Sequence, residues 1–158
     1  MALSFHSGHR MLLNPTLRNP MSDARDLTKP LANYAHSRRV GDLVLLAGQG
    51  CRDPKTDVWA GISFDEHGKP LKIDFEAQVR GVLRNVESAL AAENLTRNHI
   101  VDVQVFLTNM KEQFDVMNKV WNEFFRDVAH PPVRTTVAVK ELPGLNLIEM
   151  KVAASHKA

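Results

Sequence analysis

Between residues 75 and 90 the apolar side chains Phe75, Val79, Val82, Leu83, Val86 and Leu90 recur every three or four positions, and from residue 100 the period drops to two. A chain that switches period in this way builds amphipathic helices that lie on half-buried strands. Asp74 supplies an N-cap and Glu76 an acid in the first turn, so the first helix is expected to end near Asn94. Ile100–Leu107 alternates Val101, Val103, Val105 and Leu107 against Asp102 and Gln104, a strand with one wet face. A second helix is expected from Lys111 to Val128, with Phe114, Met117, Trp121, Phe124 and Val128 on one side and Pro131-Pro132 as its stop.

Shorter signals fill in the rest. Leu43–Ala47 (LVLLA), ended by Gly48-Gln49-Gly50, reads as a buried strand, and Asp53–Asp57 as a turn. Val58–Phe64 and Leu71–Ile73 flank Glu66-His67-Gly68-Lys69 as a small hairpin. Val133–Lys140 and Leu147–Ala154 alternate again around a turn at Leu142-Pro143-Gly144-Leu145. The order β(ββ)αβαββ predicts an α+β domain with two helices on one face of a mixed sheet. The other sheet face would stay partly apolar, which points to an oligomer.

The 158 residues are enough for one domain with one core. Residues 1–28 show no periodicity and are expected to be a disordered tail ahead of a folded body at 29–158. The first twenty residues carry two Arg and no acid, so a mitochondrial transit peptide is the alternative; without one, the location expected is the cytoplasm. Four Lys or Arg fall in the first thirty residues beside two Asp; the remaining body carries equal numbers of basic and acidic side chains. A neutral body is a poor nucleic-acid binder, and no apolar run approaches the roughly 18 residues of a membrane span. A lone cysteine, Cys51, leaves no intrachain disulfide. The seven His are scattered without ligand spacing, so no metal is expected, and Gly48-Gln49-Gly50 lacks the third glycine of a dinucleotide loop.

Two charges stand out on otherwise apolar strands, Arg134 and Glu149. Each must face solvent, a partner or a ligand, since burying either alone is costly. An edge salt bridge would explain both; so would a ligand, because an arginine on a rigid strand presents a two-pronged donor suited to a carboxylate.

The stretch Pro132-Val133-Arg134-Thr135-Thr136-Val137-Ala138-Val139, then Leu142-Pro143, then Ile148-Glu149-Met150, resembles the C-terminal signature of the reactive-intermediate deaminase (Rid, YjgF-like) family. Asn33-Tyr34, the segment from Gly41-Asp42 to Gly48-Gln49, and Asn118 after Phe114-Asp115-Val116-Met117 also match, so the resemblance covers about residues 30–155. It implies a chorismate-mutase-like α+β fold and a homotrimer with active sites between subunits, whether or not trimers pair into hexamers. The chain is more similar to the 2-aminomuconate deaminase branch, through Arg134–Val139 (RTTVAV), Leu147–Lys151 (LIEMK), the extra hairpin from Trp59 to Ile73, and Arg52. It departs from the family at Ala47, where Ser or Thr is usual, and at Thr136, where many imine deaminases have Cys.

By that resemblance Arg134 binds the carboxylate next to the C–N centre, with the backbone near Thr136 as a further donor. Glu149 activates the attacking water, and Tyr34, Gly48 and Asn118 line the pocket. A second carboxylate, as in 2-aminomuconate, calls for a second cation: Arg52 first, with Arg38 and Arg39 behind it. The expected reaction, 2-aminomuconate to 4-oxalocrotonate plus ammonia, needs no cofactor, because an imine is already electrophilic. A general 2-iminobutanoate/2-iminopropanoate deaminase and a non-catalytic trimeric carboxylate-binding module are the alternatives.

Overall fold

A computed structural model describes residues 27–158; the expected tail and the transit-peptide alternative fall on residues 1–26, outside the described residues. Five strands form one sheet: β1 (Ser37–Val40), β2 (Leu43–Leu46), β5 (Ile100–Leu107), β6 (Val133–Ala138) and β7 (Ile148–Ser155). They lie in the order β1-β2-β7-β5-β6. All neighbours are antiparallel except β5 and β6, whose parallel pairing is allowed by the crossover helix α2 (Met110–Phe124). The remaining strands, β3 (Ile62–Phe64) and β4 (Pro70–Ile73), make a separate hairpin leading into helix α1 (Phe75–Ala92). The mixed sheet and two helices agree with the α+β expectation.

Local chemistry sets the helix ends. Asp74 accepts a hydrogen bond from Ala77 N at 3.1 Å and Asn109 one from Glu112 N at 3.4 Å, each satisfying an otherwise orphaned donor. The stripe Val79, Val82, Leu83, Val86 and Leu90 packs with Met117, Val120 and Trp121 of α2 onto Val103, Val105 and Leu107 of β5 and onto Ile148, Met150 and Val152 of β7. One face of the sheet thus carries both helices and the core. The opposite face keeps Leu43, Leu45, Val133 and Val137 in solvent. Among the described residues no helix is long and apolar enough to cross a membrane.

Several element ends shift by one or two residues from the sequence pattern, and three differences are larger. Ser37–Val40 is a strand although it reads Ser-Arg-Arg-Val, because it is an edge strand whose side chains mostly face water. The second helix stops at Phe124, not Val128: Phe125 caps it, and Val128 N instead bonds Phe125 O at 3.1 Å in a closing turn. Val58 and Trp59 precede the hairpin strand, with Trp59 bridged to Arg52.

Candidate functional site

Strand register decides which charged groups can meet. Directly paired residues in a sheet point to the same side, and neighbours along a strand to opposite sides. Arg134 pairs with Val103 and Thr136 with Val105, both buried under the helices, so Arg134 and Thr136 face the helices. Glu149 pairs with Phe106 on the same central strand, one step out of phase with Val103 and Val105, so it faces the open side. Within the chain the guanidinium and the carboxylate lie on opposite faces of the sheet. They belong to two half-sites, each holding part of the residue set expected from the sequence.

The first half-site is a cavity of about 490 Å3, lined by Tyr34, Gly48, Arg52, Trp59, Asn146 and Glu149 among others. Glu149 is half-buried, and burial pushes its carboxyl above the ordinary carboxylate range. It can sit there because Gly48 has no side chain: a Cβ at 48 would overlap Glu149 Oε1. Since that overlap falls on the mobile end of a side chain, Gly48→Ala should leave the melting temperature nearly unchanged while displacing the carboxylate. Any reaction that uses Glu149 should then slow by about tenfold or more, read by steady-state kinetics beside a thermal melt.

Arg52, only 13% exposed, donates to Asp57 Oδ1 at 2.7 Å and also to the Lys29 carbonyl, so a mostly exposed acid holds its head at the cavity wall. Arg38 and Arg39 sit instead on edge strand β1, with Arg39 Nε donating to Gly41 O at 2.8 Å, and neither lines the cavity.

Helix α1 pins the cavity's loops with buried amides. Gln78 Nε2 donates to Leu145 O at 2.9 Å and Gln78 Oε1 accepts from Leu147 N at 2.8 Å, two residues before Glu149. Two turns on, Asn85 Nδ2 donates to Gly50 O and Arg52 O, both at 2.8 Å. Asn146 Oδ1 then accepts from Cys51 N at 2.9 Å, tying the two loops together, and a Cβ at Gly50 would come within 2.7 Å of it. Buried amides with this many partners fix a loop firmly. Cys51 itself is buried, with its thiol pushed up to about 11 by desolvation, and is no nucleophile.

The second half-site sits on edge strand β6 and α2. Arg134 Nη2 donates to Asn118 Oδ1 at 2.9 Å, and its guanidinium carbon lies 4.8 Å from the centroid of the Trp121 ring. Burial lowers the affinity of this guanidinium for its proton, and no carboxylate among the described residues pairs with it. Beside it, Thr136 Oγ1 is buried without a hydrogen-bond partner. An unpaired half-buried cation next to an unsatisfied hydroxyl has the chemistry to receive an anion. Among the described residues no three His, Cys, Asp or Glu side chains gather where a metal ion would sit.

Comparison with known proteins gives the family and the fold. The family model described as endoribonuclease L-PSP matches residues 25–156. The chain belongs to the endoribonuclease L-PSP family, also called Rid or YjgF-like. A RutC family protein from Pyrococcus horikoshii is 33% identical over 126 residues, 80% of this chain and 89% of the relative. The mitochondrial protein MMF1 of Saccharomyces cerevisiae is 30% identical over 149 residues, 90% and 92% of the two chains. The crystal structure of E. coli TdcF with bound serine superposes with a TM-score of 0.71 at 25% identity, covering 86% of this chain and 97% of that one.

In this L-PSP family chain the residues expected from sequence thus divide in two. Tyr34, Gly48, Arg52 and Glu149 share the cavity; Arg134 and Asn118 touch each other on the helix side, with Thr136 on the same face of β6 as Arg134. Trp59, Asn146, Gln78 and Trp121 were not singled out from the sequence as site residues. Trp121 reads as one of the apolar residues of the second helix and Trp59 as the start of the extra hairpin, and the amides carry no periodic signal. The one hint was a polar residue, Gln78, inside an apolar helix face.

Proposed function

We propose that this chain is a cofactor-independent hydrolytic deaminase of enamine and imine carboxylates, working as a homotrimer of chorismate-mutase-like protomers. One observation carries the reading: a half-buried arginine with no anionic partner among the described residues, on a sheet edge, in a protein whose Glu149, half-buried with its carboxyl raised by burial, faces the open side. Assembly through the open face would cover Val133, 69% exposed, and Val137, 41% exposed, and bring the Arg134 half of one protomer against the Glu149 half of the next. The neutral charge of the body argues against a nuclease, despite the family's description.

In that crevice Arg134 holds the carboxylate adjacent to the C–N centre, with Thr136 as a further donor. The enamine gains a proton at carbon and loses one from nitrogen to become the imine. Glu149 removes a proton from water as its oxygen bonds the imine carbon, and the nitrogen takes a proton from solvent, giving a carbinolamine. Glu149 then returns its proton to nitrogen, the C–N bond breaks with loss of ammonia, and the hydroxyl gives its proton to solvent as it becomes a carbonyl. Orientation and proton transfer are all the protein supplies. That TdcF was crystallised with serine bound, itself an amino carboxylate, supports a ligand of this class.

The substrate we favour is 2-aminomuconate, converted to 4-oxalocrotonate, because Arg52 sits in the Glu149 cavity where a second carboxylate would reach. Ammonia release measured side by side on enzymatically generated 2-aminomuconate and 2-iminobutanoate tests this. Arg52→Ala should lower kcat/KM for the diacid by about thirtyfold and leave the monoacid within about twofold. Equal losses on both would assign the general 2-iminobutanoate/2-iminopropanoate reaction instead, and no ammonia from either would leave a carboxylate-binding module.

A further inference from the structure

Every contact the structure gives the Arg134 guanidinium is neutral. Besides Asn118 Oδ1 at 2.9 Å, Nη1 reaches Met117 Sδ at 3.6 Å, and the Trp121 and Phe114 rings lie 4.8 and 6.0 Å away. All four residues come from one face of α2, at positions 114, 117, 118 and 121. Half-buried arginines are commonly held by a carboxylate, which the same helix could provide: Asp115 is exposed, and Glu123 pairs with Arg80 at 2.7 Å.

We propose that Asn118 and Trp121 are positioning residues whose neutrality is functional: they fix the plane of the Arg134 guanidinium while leaving its charge uncompensated for a substrate carboxylate. This rests on Arg134 being the carboxylate anchor. The indole covers one face of the planar cation, the amide oxygen takes one N–H and the thioether another, so three of the five N–H groups are left for an anion. Aspartate has the shape of asparagine and would make the same hydrogen bond. It would also form a salt bridge, and a substrate would then compete with a permanent internal anion.

Asn118→Asp in the full, assembled chain separates shape from charge. With 2-iminobutanoate as substrate, KM should rise by about tenfold or more while kcat stays within about threefold, and the melting temperature should hold or rise. A purely structural Asn118 predicts the opposite, since its bond is kept and strengthened; a KM within about threefold of the parent's overturns the proposal. Should the aspartate variant fail to fold, Trp121→Leu and Trp121→Phe decide: the leucine should raise KM by about tenfold and the phenylalanine restore it to within about threefold. Equal KM values for those two also overturn it. Arg134→Ala keeps the two levels apart. Normal turnover there defeats the anchor itself, whereas an inactive Arg134→Ala beside an unchanged Asn118→Asp defeats only the neutral cradle.

Discussion

Arg134→Ala should lower kcat/KM on every carboxylated imine by about a thousandfold, equivalent to about 4 kcal/mol of lost transition-state binding. The size follows from the site's poverty in cations. The cavity that holds Glu149 contains Arg52, already engaged by Asp57, and no other arginine or lysine among its lining residues, so nothing nearby replaces the lost charge. The fold should not suffer in proportion. Arg134 sits on edge strand β6, desolvated without a counter-charge, so its removal relieves a cost as well as forfeiting the stacking on Trp121. Ammonia release on 2-iminobutanoate, with light scattering to confirm the assembly, reads both effects. Normal turnover by an intact oligomer would remove the anchor from the mechanism.

How much of this was visible in the sequence depends on which period carried it. Both helices and the strands β2, β5 and β7 were legible because each buries one face against one core, and a buried face leaves a 3.6 or 2.0 repeat; β6 alternates too, though none of its residues is buried. Strand β1 was not, since Ser37-Arg38-Arg39-Val40 lies at a wet edge and needs no apolar side. The alternation in β6 was read correctly as alternation, yet its direction runs against intuition. Val133 and Val137 look away from the helices, and Arg134 and Thr136 look toward them. The proposed trimer, which covers the open face, accounts for that inversion. Which face Arg134 shares with which neighbour is a property of inter-strand register, and register is not written in either strand alone. For the same reason the amides Asn85 and Asn146 stayed silent, and Gln78 showed only as a polar residue on an apolar face: their partners are backbone groups brought near by folding.

Glu149→Gln should lower kcat by about 10²–10⁴, the usual contribution of a positioned general base, and leave KM within a few-fold. The amide keeps the shape and can still bond a water, but it cannot take the proton. Stability should move the other way. Burial raises the carboxyl's folded-state pKa, so the group's contribution is complete below the unfolded value and is lost as pH rises through the raised one. At neutral pH the buried carboxylate therefore costs the isolated protomer stability that the glutamine does not. The variant should melt at a higher temperature at pH 7, with the gap closing toward about pH 4. In the parent the rate should fall on acidification through a value above the ordinary carboxylate range, less far above it once the guanidinium of a neighbouring protomer stands opposite. Mixing completes the argument. Arg134→Ala chains keep Glu149, and Glu149→Gln chains keep Arg134, so co-refolding the two inactive variants into trimers with shared sites should restore about one quarter of parental activity. Activity that stays at the level of the separate variants would mean that the two groups never face each other across an interface, and that opposite faces of one sheet are where they remain.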